Sequence, residues 1–402
     1  MSSLPGSSDA MSRIVFAWEL GENHGHLWRL LPIARQLQLR GHEVMFGLRS
    51  MAMAQRYLAP HGIRWFACPT PAGVADLGRD IASYADILAS NGATQPDLLG
   101  GMVQAWQNLY AVLQPDLVVI EHSPFALLAA RRAGIRTVQV GTGFTIPPTL
   151  TPAPCFRPWQ PDTAQAQRQT QDSVERTVQA LFDQPRSLSQ LLTADHTRLL
   201  TLPELDHYAA WRPPGTTFLG AMPEPEQGEQ VTWSQSGRPR LFVYLYMHPW
   251  MDTVLGALEA TGAEVIAVIP GLGVDLACRH PGLRLYRQPV QLSPLLADCT
   301  LAITHAGHGT AMDCLLAGVP MLLLPSHMEQ LLVAERVASA GVGLGLMPTH
   351  VESGFADLLP EVLRNPQYRE RAGAIAARYR DVPRTRALEE IIRLIEQALE
   401  EG

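Results

Sequence analysis

The sequence predicts an α/β protein with two open-sheet domains in one chain. Three observations lead there. A β-rich run, Arg13–Trp18, is followed by a helical pattern and a second apolar run, Glu43–Leu48. The same order returns late in the chain, with a strand at Thr300–Thr304, a glycine turn, a helix to Ala317 and a strand at Met321–Leu324. Between them, Trp211–Gln230 (WRPPGTTFLGAMPEPEQGEQ) is rich in proline, glycine and acid, the composition of a linker. The expected organisation is a disordered polar leader at 1–11, a first domain over 12–215, a linker over 216–236, a second domain over 237–384 and a C-terminal helix over 385–402.

Composition narrows the function classes. A length of 402 residues suits two or three domains, and 47% hydrophobic residues are enough for real cores. The net charge of −7 gives no basic footprint for nucleic acid. No apolar run reaches the roughly 18–20 residues that span a bilayer. The opening MSSLPGSSDA lacks the charged-then-apolar pattern of a secretory signal. Cys68, Cys155, Cys278, Cys299 and Cys314 are scattered without Cys-x-x-Cys spacing, which favours reduced thiols in a cytoplasm over a metal cluster.

In the first half, the loop Glu19–Gly25 leads from the first strand into a helical pattern over His26–Arg40. Leu27, Leu30, Leu31, Ala34 and Leu37 form its apolar stripe, and Gly41 stops it. This is a βαβ opening whose loop lies at the carboxyl end of a strand, where open α/β sheets bind ligands. The loop carries His24 and His26. On their own, two loop histidines read as solvent-exposed imidazoles. Gln114–Ile120 is a buried strand that ends at Glu121-His122-Ser123-Pro124, followed by a helix (Phe125–Ala133) and a strand (Ile135–Val140). Glu121 alone reads equally well as a carboxylate favoured by a helix N-terminus. Gly141–Trp159 is rich in proline, threonine and aromatics, so it is neither regular helix nor central strand. Helices are expected near Thr163–Phe182 and Ser187–Leu199.

In the second half, Arg240–Tyr246 opens the second domain and runs into Met247-His248-Pro249-Trp250. A helix (Met251–Ala260) and strands (Glu264–Ile269, Leu283–Arg287) follow. On its own the turn at His305–Thr310 reads as the helix-capping turn of an ordinary βαβ unit, and its residues also offer the parts of a ligand site. Gly307 and Gly309 let a ligand approach the backbone, and the first N–H groups of the next helix are unpaired and suit an anionic diphosphate. Thr310 adds a hydroxyl, His305 an imidazole, and Asp313, one turn on, a carboxylate fit for ribose hydroxyls. Helices are expected at His327–Ala340, Val351–Arg364, Pro366–Arg380 and Thr385–Glu401. The last has Leu388, Ile391, Ile392, Ile395 and Leu399 on one stripe.

The stretch His305–Gln330 resembles the donor-binding signature of family 1 glycosyltransferases (the UDP-glycosyltransferase and macrolide glycosyltransferase type), the nucleotide-sugar transferases of the GT-B fold. His305, Gly307, Gly309 and Thr310 stand at the phosphate-binding positions and Asp313 at the ribose-binding acid. Gly318-Val319-Pro320 and Pro325 match directly, and Glu329-Gln330 stands at the sugar-recognising pair. The resemblance implies two Rossmann-like domains with an interdomain cleft, and a C-terminal helix that crosses back onto the first domain. It implies His26 as the general base, oriented by Glu121 where aspartate is usual, with His122 as the runner-up. It implies nucleobase contacts at Pro289 and Val290, with Arg287 where tryptophan is common. Met247–Trp250 stands where the family has a Gly/Ser loop.

The function so implied is inverting transfer of a sugar from a UDP- or dTDP-linked donor to a hydroxyl of a small-molecule or lipid-like acceptor. The nucleotide-sugar is a co-substrate, and no other cofactor is expected. The chain has no Asp-x-Asp pair, so no obligatory metal is expected either. No nucleic-acid partner is expected, and a homodimer stays open. Two alternatives share the fold: a sugar-nucleotide 2-epimerase, and a non-catalytic nucleotide-sugar-binding partner of another transferase.

Overall fold

A computed structural model of the protein describes residues 11–21, 24–157, 164–223, 228–234 and 237–401. Residues 1–10 of the expected leader lie outside these, as do parts of the expected linker and the end of the Gly141–Trp159 stretch. The chain forms two compact units. The first comprises the described residues of Met1–Thr201, Ala210–Glu224 and Arg384–Gly402, the second those of Leu202–Ala209 and Pro225–Pro383.

The first unit is built on six parallel strands: β1 (Arg13–Trp18), β2 (Glu43–Leu48), β3 (Arg64–Ala67), β4 (Leu117–Ile120), β5 (Arg136–Gly141) and β6 (His196–Leu199). Their order is β3-β2-β1-β4-β5-β6. Beyond Arg13, which opens β1, the central strands β1 and β4 are apolar and buried on both faces, as a parallel sheet covered by helices requires. The strand order reverses between β1 and β4, where Ala17 pairs with Ile120. The loops that leave those two strands therefore open a crevice at the carboxyl edge of the sheet.

The core of this unit joins Ile14, Phe16, Leu27, Leu30 and Ile33 to Ile391, Ile392 and Ile395 of the C-terminal helix, Arg386–Glu400. Sealing this apolar stripe into the sheet's helical layer is what holds the helix there, since burial of large aliphatic side chains is the dominant favourable term. Arg136 donates to the carbonyls of Ala398 (2.6 Å) and Leu399 (3.3 Å), capping the helix end. None of the helices among the described residues is long and apolar enough to cross a membrane.

The second unit repeats the plan with β7 (Arg240–Tyr244), β8 (Glu264–Val268), β9 (Arg284–Tyr286), β10 (Leu301–Thr304), β11 (Met321–Leu323) and β12 (Gly343–Gly345). The order is β12-β11-β10-β7-β8-β9. Its reversal lies between β7 and β10, with Thr304 paired to Tyr244.

One expected element is corrected. Ser187–Leu199 is not a helix. A capping box at Ser187 and Gln190 starts a single turn, Leu188–Leu191, and the chain then extends into β6 along β5. A free edge beside β5 rewards extended backbone with ladder hydrogen bonds, and tertiary pairing outweighs a weak local helix preference. The helix Pro96–Leu113 carries no clear signal in the sequence because Gly100 and Gly101 lie inside it.

Candidate active site

The crevice of the first unit holds a buried three-residue cluster. His26 sits in the first turn of the helix His24–Leu39, and Glu121 follows β4 directly. Parallel pairing of β1 with β4 places them together although 95 residues separate them, and His26 Nδ1 lies 2.6 Å from Glu121 Oε2. Arg29, one turn beyond His26 on the same helix face, sets Nη2 3.3 Å from the other carboxylate oxygen. His26 is 3% exposed and Glu121 fully buried. Burial alone would push the Glu121 carboxyl up, but His26 and Arg29 outweigh it and hold the group below the usual carboxylate range. An ionised Glu121 accepts a hydrogen bond from Nδ1–H, which fixes the tautomer and leaves Nε2 as the proton acceptor.

Backbone and rings hold that nitrogen in place. Gly21 (φ +85°) lies against it, so close that a Cβ there would come within 2.3 Å of Nε2. The Trp18 ring stacks on His26 at 5.2 Å and the His122 ring at 5.8 Å. His24 opens the same helix, and its side chain lies outside the described residues. Beneath the cluster, Glu19 accepts from the indole of Trp106 and from the backbone N–H groups of Phe125 (2.9 Å) and Ala126 (3.0 Å). Burial pushes its carboxyl up to about 8 against the pull of these donors. Glu19 thereby ties β1 to the first turn of the helix Pro124–Ala133.

In the second unit, His305 follows directly on β10. Its backbone N–H and Nδ1 both approach the Tyr244 carbonyl at 3.2 Å, so the ring donates through Nδ1. The rings of Tyr244 and Tyr246 lie 4.8 and 4.6 Å from it. Burial lowers the imidazole to about 4, and His327 adds to this. Ala306 takes a positive φ of 62°, Gly307 caps the helix His308–Leu316, and a Cβ on Gly307 would meet His305 Nε2 at 2.8 Å. The N–H groups of His308, Gly309 and Thr310 precede the first intrahelical bond, from Ala311 to the Gly307 carbonyl at 2.9 Å. Asp313 is buried in the next turn.

Glu329 and Gln330 open the helix Met328–Ser339, one strand along the sheet. The Gln330 amide oxygen is taken by Ser326 N (2.8 Å) and Oγ (2.9 Å), so its NH2 group and the Glu329 carboxylate are what that pair can offer a ligand. The Pro289 carbonyl accepts from Glu229 N at 3.0 Å, and Val290 forms a bridge with Glu229. Beside them lies a cavity of about 370 Å³ lined by Glu229, Leu272, Leu285, Tyr286, Arg287 and Gln288. Arg287 donates from Nε to the Leu272 carbonyl at 2.8 Å. In the Met247–Trp250 segment, His248 stacks on Trp250 at 4.5 Å.

Arg29, Glu19 and Tyr246 escape the sequence reading. Arg29 alone left a local signal, its three-residue spacing from His26.

Residues 252–395 match the family model described as erythromycin biosynthesis protein CIII-like, C-terminal domain. The chain is 25% identical to L-demethylnoviosyl transferase of Streptomyces niveus, over 80% of this chain and 82% of the relative. Among solved structures it is similar to CalG4, the calicheamicin glycosyltransferase, with a TM-score of 0.72 and 19% identity over 97% of this chain and 98% of that one. It is also similar to the glycosyltransferase SsfS6 of Streptomyces sp. SF2575 complexed with thymidine diphosphate, with a TM-score of 0.64 and 21% identity over 96% and 99%. The two six-stranded sheets with flanking helices are the GT-B fold.

Proposed function

We propose that this chain, a glycosyltransferase of the GT-B fold by its family match and architecture, moves a sugar from a dTDP- or UDP-linked donor to a hydroxyl of a small molecule. The observation that carries the reading is the buried His26–Glu121 pair at 2.6 Å, in the crevice where such sheets bind ligands. His26 Nε2 takes the proton of the acceptor hydroxyl. The acceptor oxygen attacks the anomeric carbon from the face opposite the leaving group. The bond from that carbon to the diphosphate oxygen breaks, the configuration inverts, and the nucleoside diphosphate leaves with the electron pair. In this reading its new charge falls on the N–H groups of the helix terminus, His308–Thr310, donors already in position before the charge develops, and His305 joins them only when Nε2 takes up a proton.

The relative named a transferase and the neighbour bound to thymidine diphosphate support a nucleotide-sugar donor with thymine as its base. Asp313, Glu329 and Gln330 are assigned to the ribose and the sugar, and Pro289, Val290 and the adjoining cavity to the nucleobase. We read the transfer as metal-independent, because the helix terminus can carry the leaving-group charge. Turnover should then be unchanged by EDTA.

The test combines binding with turnover. A thermal-shift series with UDP, dTDP, GDP and ADP names the nucleotide, because a ligand of the native state raises the melting temperature. His26→Ala should keep that shift and lose about 10²–10⁴ in turnover, the usual contribution of a general base. Unchanged turnover would remove His26 from the reaction.

A further inference from the structure

We infer that His122 binds the acceptor, its imidazole hydrogen-bonding an oxygen next to the hydroxyl that is glycosylated, on a planar and uncharged molecule. The inference rests on the transferase reading and concerns what the first unit holds against His26. His122 is 4% exposed, and among the described residues neither ring nitrogen has a hydrogen-bond partner. Buried polar groups are nearly always paired, so two orphan nitrogens on one ring need an explanation. The backbone is held in the left-handed region (φ +44°) by the bond from Leu20 N to the His122 carbonyl at 3.0 Å. Strain of this kind collects at ligand-binding positions.

The neighbours of the ring define what fits. His26 stacks on it at 5.8 Å and 26°, face to face, so the two imidazoles do not bond each other. Tyr84 lies at 6.2 Å and Phe144 at 5.9 Å, and Phe156 stacks on Phe144 at 5.5 Å. These rings favour a flat π-system. A charged acceptor would be desolvated among them at high cost. Burial pushes the imidazole down to about 3, so the ring stays neutral and offers one donor and one acceptor at working pH. With centroids 5.8 Å apart, an oxygen on His122 belongs to the same end of the acceptor as the hydroxyl on His26. Phe144 is half-buried, the least buried of these rings.

The test uses two flat probes that differ by one oxygen, 2,3-dihydroxynaphthalene and 2-naphthol. Binding is read by quenching of tryptophan fluorescence, independently of turnover. Wild-type protein should bind the diol about tenfold more tightly, the worth of one hydrogen bond in a buried site. In His122→Phe, which keeps a ring but no nitrogen, the ratio should fall to within about twofold. His122→Asn suits the left-handed backbone, and its amide is too short to reach, so the ratio should fall there as well. The dTDP or UDP thermal shift should be unchanged in both variants.

A wild-type protein without the preference, one that binds neither probe, or either variant keeping the full ratio overturns the inference. Loss of nucleotide binding in the wild type would instead sink the transferase reading, and the two failures are separate.

Discussion

Glu121→Gln tests the cluster most sharply, because it changes charge and almost no volume. On the proposed mechanism His26 gains a proton, and a carboxylate at 2.6 Å from Nδ1 would stabilise the imidazolium. The two charge centres are then about 4 Å apart, worth roughly 4 kcal/mol at the effective dielectric of about 20 that describes protein sites. At about 1.4 kcal/mol per factor of ten, turnover should fall by about 10³. The amide adds a second fault. It has one oxygen for two donors, His26 Nδ1–H and Arg29 Nη2. If that oxygen turns to Arg29, the NH2 group faces Nδ1 and forces the proton onto Nε2, which is then no base. Nucleoside diphosphate release from the donor in the presence of acceptor gives the rate, and the thermal shift with the nucleotide reports an intact second unit. A Glu121→Gln enzyme within tenfold of wild type would refute the argument, since neither the charge nor the tautomer would then matter.

Gly21→Ala puts a Cβ 2.3 Å from His26 Nε2 at φ +85°, so it should cost about 1–3 kcal/mol of stability and at least tenfold in turnover while nucleotide binding persists, as denaturation and kinetics will show. His305 already donates through Nδ1 to Tyr244, with an imidazole near 4, so a phosphate on Nε2 requires a second proton. Binding should therefore raise its pKa, and the affinity this adds is present below the bound pKa and lost as pH rises through it. Calorimetry in two buffers of different ionisation heat reads the proton uptake, and none would mean that the ring changes tautomer or does not touch the phosphate. Ile395→Ala opens a fully buried position shared by the C-terminal helix and the sheet, and should destabilise the first unit by about 2–5 kcal/mol in urea unfolding.

The sequence reads the candidate sites of the two units unequally, and the reason is physical. In the second unit the proposed diphosphate site would be made of backbone: a strand end, a turn that needs glycine, and a helix terminus. These are contiguous, so His305, Gly307 and Thr310 stand out within a few residues. The same locality made most elements legible, because a parallel strand needs an apolar run and a helix needs a stripe. Locality failed at Ser187–Leu199, where the free edge of β5 decided for strand. It also failed at Glu19, whose partners Phe125 and Ala126 are more than a hundred residues away.

In the first unit the candidate site is made of side chains from a helix and from the loop after a distant strand, and nothing between positions 26 and 121 announces that they meet. Only the register of β1 on β4 brings them together, and only a family pattern points to it beforehand. Arg29 shows the limit from the other side. It was visible at helical spacing from His26, yet a reading of it as the carboxylate's second partner requires knowing that Glu121 is there. His122 lies further still out of reach, since its signal is an absence of partners that exists only in three dimensions. The proposed donor site is therefore readable from local spacing, whereas the proposed acceptor site is built by long-range packing around His26. For that reason the probes that vary the acceptor by a single oxygen carry more information about this chain than any further comparison of its glycine turn.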